Sequence, residues 1–178
     1  TRVAGGLVWL ATLFSLIIII QRSFAVDTAD GALEAQRVAG LDPAGIFVGK
    51  ALAVMVQLVT LEIMLFVAAV VLYRVQLHVD GVVLLVTCVV SATAGLSFVG
   101  TLYGGLTAGS RGRETLLPLL MLPVVAPVLI GATRATESAF NSGGAAVSDG
   151  WPWVGVLVVF AAAFGLGGIL SFGSLIEE

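Results

Sequence analysis

Five long apolar stretches, separated by short polar segments, account for most of the chain. Each stretch is free of clustered charge. A helix needs about 20 residues to cross a bilayer, and each stretch is close to or above that length. Runs such as LIIII at residues 16–20 do not alternate with polar residues, as a membrane β-strand would require. We therefore predict an all-α, polytopic transmembrane helical bundle with spans at residues 3–20, 51–73, 82–106, 115–132 and 153–172.

Composition supports the membrane interpretation and excludes several other classes of protein. Hydrophobic residues make up 59% of the 178 residues and charged residues only 11%, whereas a soluble domain has about 25% charged residues. The single cysteine, Cys88, excludes an intrachain disulfide and a cysteine metal cluster. The net charge of −3 gives no indication of nucleic-acid binding. We expect no catalytic residues, no metal site and no cofactor bound by this chain alone.

The distribution of lysine and arginine predicts how the chain is oriented in the membrane. The loop at 21–50 and the loop at 108–114 carry five basic residues, and the opposite side carries three. The excess marks the cytoplasmic side, so we place these loops and the carboxyl terminus inside. The chain begins with threonine, lacks a signal-peptide pattern and enters the membrane almost at once. We therefore expect a single permease domain over residues 1–178, preceded in a six-span parent by one further span.

Residues 22–50 carry helix signals that an ordinary connector does not need, although a plain connector is the alternative interpretation. Asp30 is a candidate helix cap, and the helix that it begins, over residues 30–38, is expected to end near Gly40. Asp42 and Pro43 then form a second helix start, as cap and first residue. Lys50 is placed where its ammonium can reach the lipid headgroups. We predict a cytoplasmic coupling loop that contains a short helix on the membrane surface.

The segment at 45–50 is only superficially similar to a phosphate-binding loop. Ala44 stands where that motif has its first glycine, and Ala51 stands where it has serine or threonine. The chain therefore has no nucleotide site of its own, and any ATP hydrolysis belongs to a partner.

Two blocks of sequence resemble a known family. The coupling loop with its Gly-Ala-Leu-Glu run at 31–34, Asp42, and Gly-Lys at 49–50 is similar to that of the ABC-2 type permeases. The block SRGRETLLPLL at 110–120 and the LIEE tail at 175–178 agree with it. The similarity is strongest to the haem exporter protein B (CcmB) family of cytochrome c biogenesis, and it extends over essentially the whole chain. Ala-Gln-Arg at 35–37 departs from the leucines that usually follow in the family.

The resemblance implies a permease subunit of an ABC transporter in a bacterial inner membrane, serving haem delivery in cytochrome c maturation. The implied partners are an ABC ATPase subunit, a haem-handling membrane protein and membrane lipid, with a second copy of the chain as a further candidate. Haem would be a transported or handled ligand, either exported or released with a loaded chaperone. A general ABC-2 exporter of a lipid, glycan or drug and a non-transport scaffold remain alternatives. The residues that the resemblance assigns to ATPase coupling are Asp30, Gly31, Leu33, Glu34 and Arg37.

Glu62 is an acidic residue about eleven positions into the second predicted span, with Gln57 nearby. A charge at that depth costs roughly 3 kcal/mol unless it is paired or protonated. Both residues are therefore candidate intramembrane polar sites, either on a substrate path or as structural hydrogen-bonding groups. The candidate partners for Glu62 on the next span are Cys88, Ser91, Thr93 and Ser97.

Small residues and prolines mark two further features of the spans. Gly100 and Gly104, like Gly105 and Gly109, are four residues apart, a spacing typical of closely packed membrane helices, either within the chain or between subunits. Pro123 and Pro127 are expected to bend the fourth span, as a hinge or as a shape needed for packing.

Three residues near the outer surface complete the set of candidates. We expect Trp151 and Trp153 to act as interfacial anchors. His78 is expected to be a surface residue, with axial ligation of haem iron as the alternative.

Overall fold

The computed structural model describes residues 2–29, 31, 35, 38–75, 78–108 and 112–177. Within them lie five long helices: α1 at Arg2–Ala29, α2 at Pro43–Tyr73, α3 at Val79–Thr107, α4 at Arg113–Ala139 and α5 at Trp151–Glu177. Two short 3-10 turns, Ser142–Gly144 and Val147–Gly150, join α4 to α5. All five helices are long and apolar enough to cross a membrane. The prediction of an all-helical, five-span bundle is confirmed.

All five helices extend beyond the predicted spans, and at the start of α2 a local cap decides where the helix begins. Asp42 caps α2 through its carboxylate, which accepts a hydrogen bond from the Gly45 N–H at 3.3 Å, and Pro43 is the first helical residue. This part of the prediction is confirmed. At its other end α2 stops at Arg74, which takes the left-handed conformation with φ of 48°. With 31 residues, α2 is about 46 Å long and exceeds the roughly 30 Å hydrocarbon core.

The central helix is α3, which packs against each of the other four long helices. Its small residues allow this because neighbouring side chains occupy the space that larger residues would need. A Cβ atom at Gly104 would lie 2.5 Å from Phe24 Cε2 of α1, and one at Gly105 would lie 2.7 Å from Phe172 Cε2 of α5. Gly100 likewise faces α1. These three glycines make close contacts within the chain, and Gly109 lies outside the described residues.

The helix α4 runs without interruption through its three prolines, Pro118, Pro123 and Pro127. Pro123 and Pro127 are exposed on the bundle surface, whereas the opposite face of α4 contributes Leu117 and Met121 to the core. The hinge role of the two exposed prolines stays a prediction. At the start of α5, Trp151 is exposed and Trp153 is half-buried.

The short connections place successive helices antiparallel, so that the two ends of the bundle differ. One end collects the loop between α1 and α2 together with the start of α4, and the other carries His78 and the 3-10 turns. We call these the loop end and the turn end. The orientation prediction places the loop end in the cytoplasm.

Candidate coupling site

The segment between α1 and α2 keeps helical hydrogen bonds where the structure describes it. The Ala35 N–H donates to the Gly31 carbonyl at 2.9 Å, and the Ala39 N–H donates to the Ala35 carbonyl at 3.0 Å. Gly40, with φ of 69°, then takes a left-handed conformation that suits the end of a helix. Of the residues predicted to couple to an ATPase, Gly31 is described and exposed. The others, Asp30, Leu33, Glu34 and Arg37, lie outside the described residues.

An ion pair closes the base of this loop. Lys50, in the second turn of α2, pairs with Asp27 near the end of α1. The two side chains are largely buried, with 12% of Lys50 and 25% of Asp27 exposed. The Lys50 ammonium also lies 4.1 Å from the centre of the fully buried Phe24 ring. Carboxylate and aromatic face together stabilise the cation, so α1 and α2 are held together where the loop leaves them.

This arrangement differs from the expectation that Lys50 extends toward lipid headgroups. The loop folds back and brings a carboxylate 23 positions away into contact, and pairing with it replaces solvation by headgroups. Sequence analysis missed Asp27 and Phe24. The available signal was a pair of opposite charges at the end of one span and the start of the next.

Two cavities adjoin the ion pair between α1 and α2. The first has a volume of about 630 Å³ and lies under the loop. The second, of about 520 Å³, shares Ser23 and Asp27 with the first and includes Arg22 and Gln57. Gln57 is exposed and therefore belongs to this loop-end surface, apart from the buried Glu62. The lining of the first cavity is Ser23, Asp27, Leu41, Asp42, Gly45, Ile46, Gly49, Lys50 and Ala53.

The second block of family-like sequence begins at the same end of the bundle. The Gln21 side-chain amide of α1 donates a hydrogen bond to the Glu114 carbonyl in the first turn of α4 at 3.0 Å. This contact brings the start of α4 against the part of α1 that carries the ion pair. Two segments 93 positions apart therefore meet on one surface.

Glu62 lies fully buried in the middle of the bundle. Among its four predicted candidate partners, Thr93 is the one in contact, since its hydroxyl donates to Glu62 Oε2 at 2.6 Å. The others bond elsewhere or not at all among the described residues. Ser91 donates to the Thr87 carbonyl at 2.7 Å, the Cys88 thiol lies 3.7 Å from the Ala132 carbonyl, and the Ser97 hydroxyl has no partner there.

The turn end carries an exposed histidine and an ion pair on the surface of α4. His78 is exposed and precedes α3 without a capping hydrogen bond from its side chain. Arg134 and Glu137 of α4 form an ion pair at 3.3 Å, with 62% of the Arg134 side chain exposed. In the described part of the chain, no three His, Cys, Asp or Glu side chains come together as metal ligands.

Comparison with known proteins gives consistent results. The profile of the family described as CcmB protein matches residues 1–167. "Heme exporter protein B" of Rhodobacter capsulatus is 34% identical over 131 residues, which cover 72% of this chain and 58% of the relative. The proteins of the same name from Paracoccus denitrificans and Escherichia coli K12 are 34% and 30% identical over 139 and 160 residues, covering 77% and 78% of this chain. The chain thus spans 58% to 62% of the length of these curated relatives. No solved structure matches it.

Proposed function

The chain belongs to the CcmB protein family, and from this premise we propose that it is the permease subunit of an ABC transporter that delivers haem during cytochrome c maturation. The observation that carries the proposal is the family match over residues 1–167. The printed name of the relatives, heme exporter protein B, supports haem as the transported or handled ligand. In this proposal the protein lies in the inner membrane of a bacterium.

The proposed subunit performs no chemistry itself. Because residues 44–51 lack the glycine and hydroxyl residue of a phosphate-binding loop, ATP is bound and hydrolysed by a partner ATPase. We place the docking surface of that partner on residues 30–38. Gly31, Ala35 and Val38 are exposed, and the hydrogen bonds from Ala35 to Gly31 and from Ala39 to Ala35 have helical spacing, which supports this placement.

The ion pair supports a way for the loop to transmit force. With Asp27 and Lys50 joined at the base of the loop, a push on the loop displaces the ends of α1 and α2 as one unit. Without that contact, the same push would be absorbed by bending of the loop. The cavities beside the ion pair give these helix ends room to move.

Close packing then carries the displacement through the membrane. Gly100 and Gly104 hold α3 against α1, and the Glu62–Thr93 hydrogen bond holds it against α2. Densely packed helices transmit small shifts because they resist compression. At the turn end, the moving helices would change their contact with a haem-handling membrane protein, whether haem is exported or a haem-loaded chaperone is released.

A charge reversal at Glu34 tests the proposal in cells that carry the full-length protein. Glu34→Lys places a cation at the predicted start of the loop helix, where the helix dipole disfavours it, and disrupts charge complementarity with a partner. We expect a normal amount of inserted protein, loss of the co-purifying ATPase and loss of cytochrome c maturation. Asp80→Lys is the matched control, because Asp80 is exposed in the first turn of α3 at the turn end.

The outcomes separate the hypotheses. Wild-type levels of ATPase and cytochrome c with Glu34→Lys would show that this loop is not the coupling element. Deletion of the protein that leaves cytochrome c intact but alters a surface lipid or glycan would favour a general exporter. If no ATPase co-purifies with the wild-type protein, a membrane scaffold is the better hypothesis.

A further inference from the structure

The second cavity at the loop end contains polar side chains that the proposed coupling does not use. It has a volume of about 520 Å³ and adjoins the Asp27–Lys50 ion pair. Ligand pockets in proteins have volumes of about 300–1,000 Å³, so this cavity is large enough for part of an amphipathic molecule. Besides Asp27, it is lined by Ile18, Ile19, Arg22, Ser23, Val26 and Gln57.

The cavity opens along the outer face of α1. Ile18, Arg22 and Val26 follow one another at four-residue spacing on that face, line the cavity and are exposed on the bundle surface. The exposed fractions of Ile18 and Val26 are 62% and 52%. Apolar side chains that are exposed on a membrane-spanning bundle contact acyl chains, which are as apolar as they are. A lipid molecule that lies beside α1 therefore has direct access to the cavity.

Arg22 and Gln57 reach the cavity from different helices at a similar depth. The antiparallel helices α1 and α2 are joined at the level of Asp27 and Lys50. From that level, at 1.5 Å per residue, Arg22 lies about 7.5 Å further into the bundle on α1, and Gln57 lies about 10.5 Å further on α2. The two side chains therefore flank one cavity, about one helical turn or more below the ion pair.

The side chains of Arg22 and Gln57 form no ion pair or hydrogen bond with another described residue. Gln57 is exposed on the surface of a span, where an amide without a polar partner is costly. The charge of Asp27 is balanced by Lys50, so Arg22 gives the described lining a net positive charge. A guanidinium matches a phosphate group through two parallel hydrogen bonds. The cavity thus combines a site for a phosphate with an apolar wall.

We propose that this cavity binds an anionic phospholipid of the cytoplasmic leaflet. The Arg22 guanidinium pairs with the phosphate, and the Gln57 amide donates to an oxygen of the glycerol esters. Ile18 and Val26 contact the acyl chains. The orientation prediction places the loop end in the cytoplasm, where the membrane surface carries anionic lipids that basic pockets between spans recognise. The proposal rests on the cavity and on this orientation, and it does not depend on haem as the transported ligand.

Native mass spectrometry of the full-length protein in detergent micelles, titrated with phosphatidylglycerol, tests this site. In Arg22→Gln we expect binding of the first lipid to be about tenfold weaker, because a charge-assisted contact to the phosphate is lost. In Gln57→Leu we expect it to be about threefold weaker. The matched control is Arg74→Gln, which removes an exposed arginine at the turn end of α2 and should leave binding unchanged. The wild-type protein should bind zwitterionic phosphatidylcholine about fivefold more weakly.

Four results would overturn the proposal. Wild-type affinity in Arg22→Gln would show that its guanidinium does not hold the lipid, and equal losses in Arg22→Gln and Arg74→Gln would show a general attraction of charge. Equal affinity of the wild-type protein for the two lipids would exclude an anionic ligand. Displacement of phosphatidylglycerol by an equal concentration of inorganic phosphate would show a site for soluble anions. The last two need only the wild-type protein, so the test stands even if a variant fails to fold.

Discussion

Replacing Lys50 with methionine removes the ammonium that joins α1 to α2 and keeps a flexible apolar side chain of similar length. Asp27 is then left as an unpaired carboxylate with 25% of its side chain exposed. Replacing Asp27 with leucine instead leaves Lys50 as an unpaired cation, with only 12% of its side chain exposed. The double variant removes both charges. Together with the wild type, these variants form a double-mutant cycle at the base of the loop.

The magnitude follows from the burial of the pair. Removal of one partner from a fully buried ion pair costs about 3–5 kcal/mol, whereas exposed pairs contribute about 0–1 kcal/mol. With exposures of 12% and 25%, we expect each single variant to lose about 2 kcal/mol of stability. The double variant should lose no more than either single variant, since it leaves no unpaired charge. The expected coupling energy is therefore about 2 kcal/mol.

Thermal unfolding of the full-length protein in detergent measures this cycle. A loss of about 2 kcal/mol corresponds to a melting temperature lowered by about 4–8 °C for a chain of this size. Glu137→Gln is the control, because the Arg134–Glu137 pair lies on the surface of α4 and should contribute no more than about 0.5 kcal/mol. If the two single losses add in the double variant, or if the control loses as much, the pair does not join α1 to α2 and the proposed transmission through the loop is wrong.

Three further predictions concern the spans and their orientation. Glu62→Gln should leave the amount of protein in the membrane unchanged because the amide still accepts the hydrogen bond from α3, whereas Glu62→Leu should lower thermal stability by about 1–3 kcal/mol by leaving that donor unpaired. Gly104→Ala should destabilise the bundle by about 1–3 kcal/mol through overpacking, while Gly167→Ala, at a site open within 4 Å, should not; equal melting temperatures would contradict the packing argument. In a background without the native cysteine, Ala39→Cys should react with a membrane-impermeant thiol reagent only from the cytoplasm and Ser148→Cys only from outside, and the reverse pattern would invert the orientation.

The local features of this protein were predictable from the sequence because they depend on neighbouring residues. The helix start at Asp42 and Pro43 follows from a side chain that reaches its own first turn. The five spans follow from the length of the apolar stretches alone. The first predicted span ends nine residues before the end of α1, and the second begins eight residues after the start of α2. Hydropathy reports depth in the membrane and not where helical hydrogen bonding begins or stops.

The contacts between distant residues were decided by the tertiary structure. The sequence offered four hydroxyl or thiol partners for Glu62, and only the rotation of α3 against α2 selects Thr93. The pairing of Lys50 with Asp27 likewise needs the loop to fold back across 23 positions. Periodicity fixes which residues share one face of a helix, but the angle at which that face meets another helix depends on the summed packing of all the side chains between them. Composition and local capping therefore determined the number of spans and the start of α2, and packing of the whole bundle determined which polar groups meet inside it.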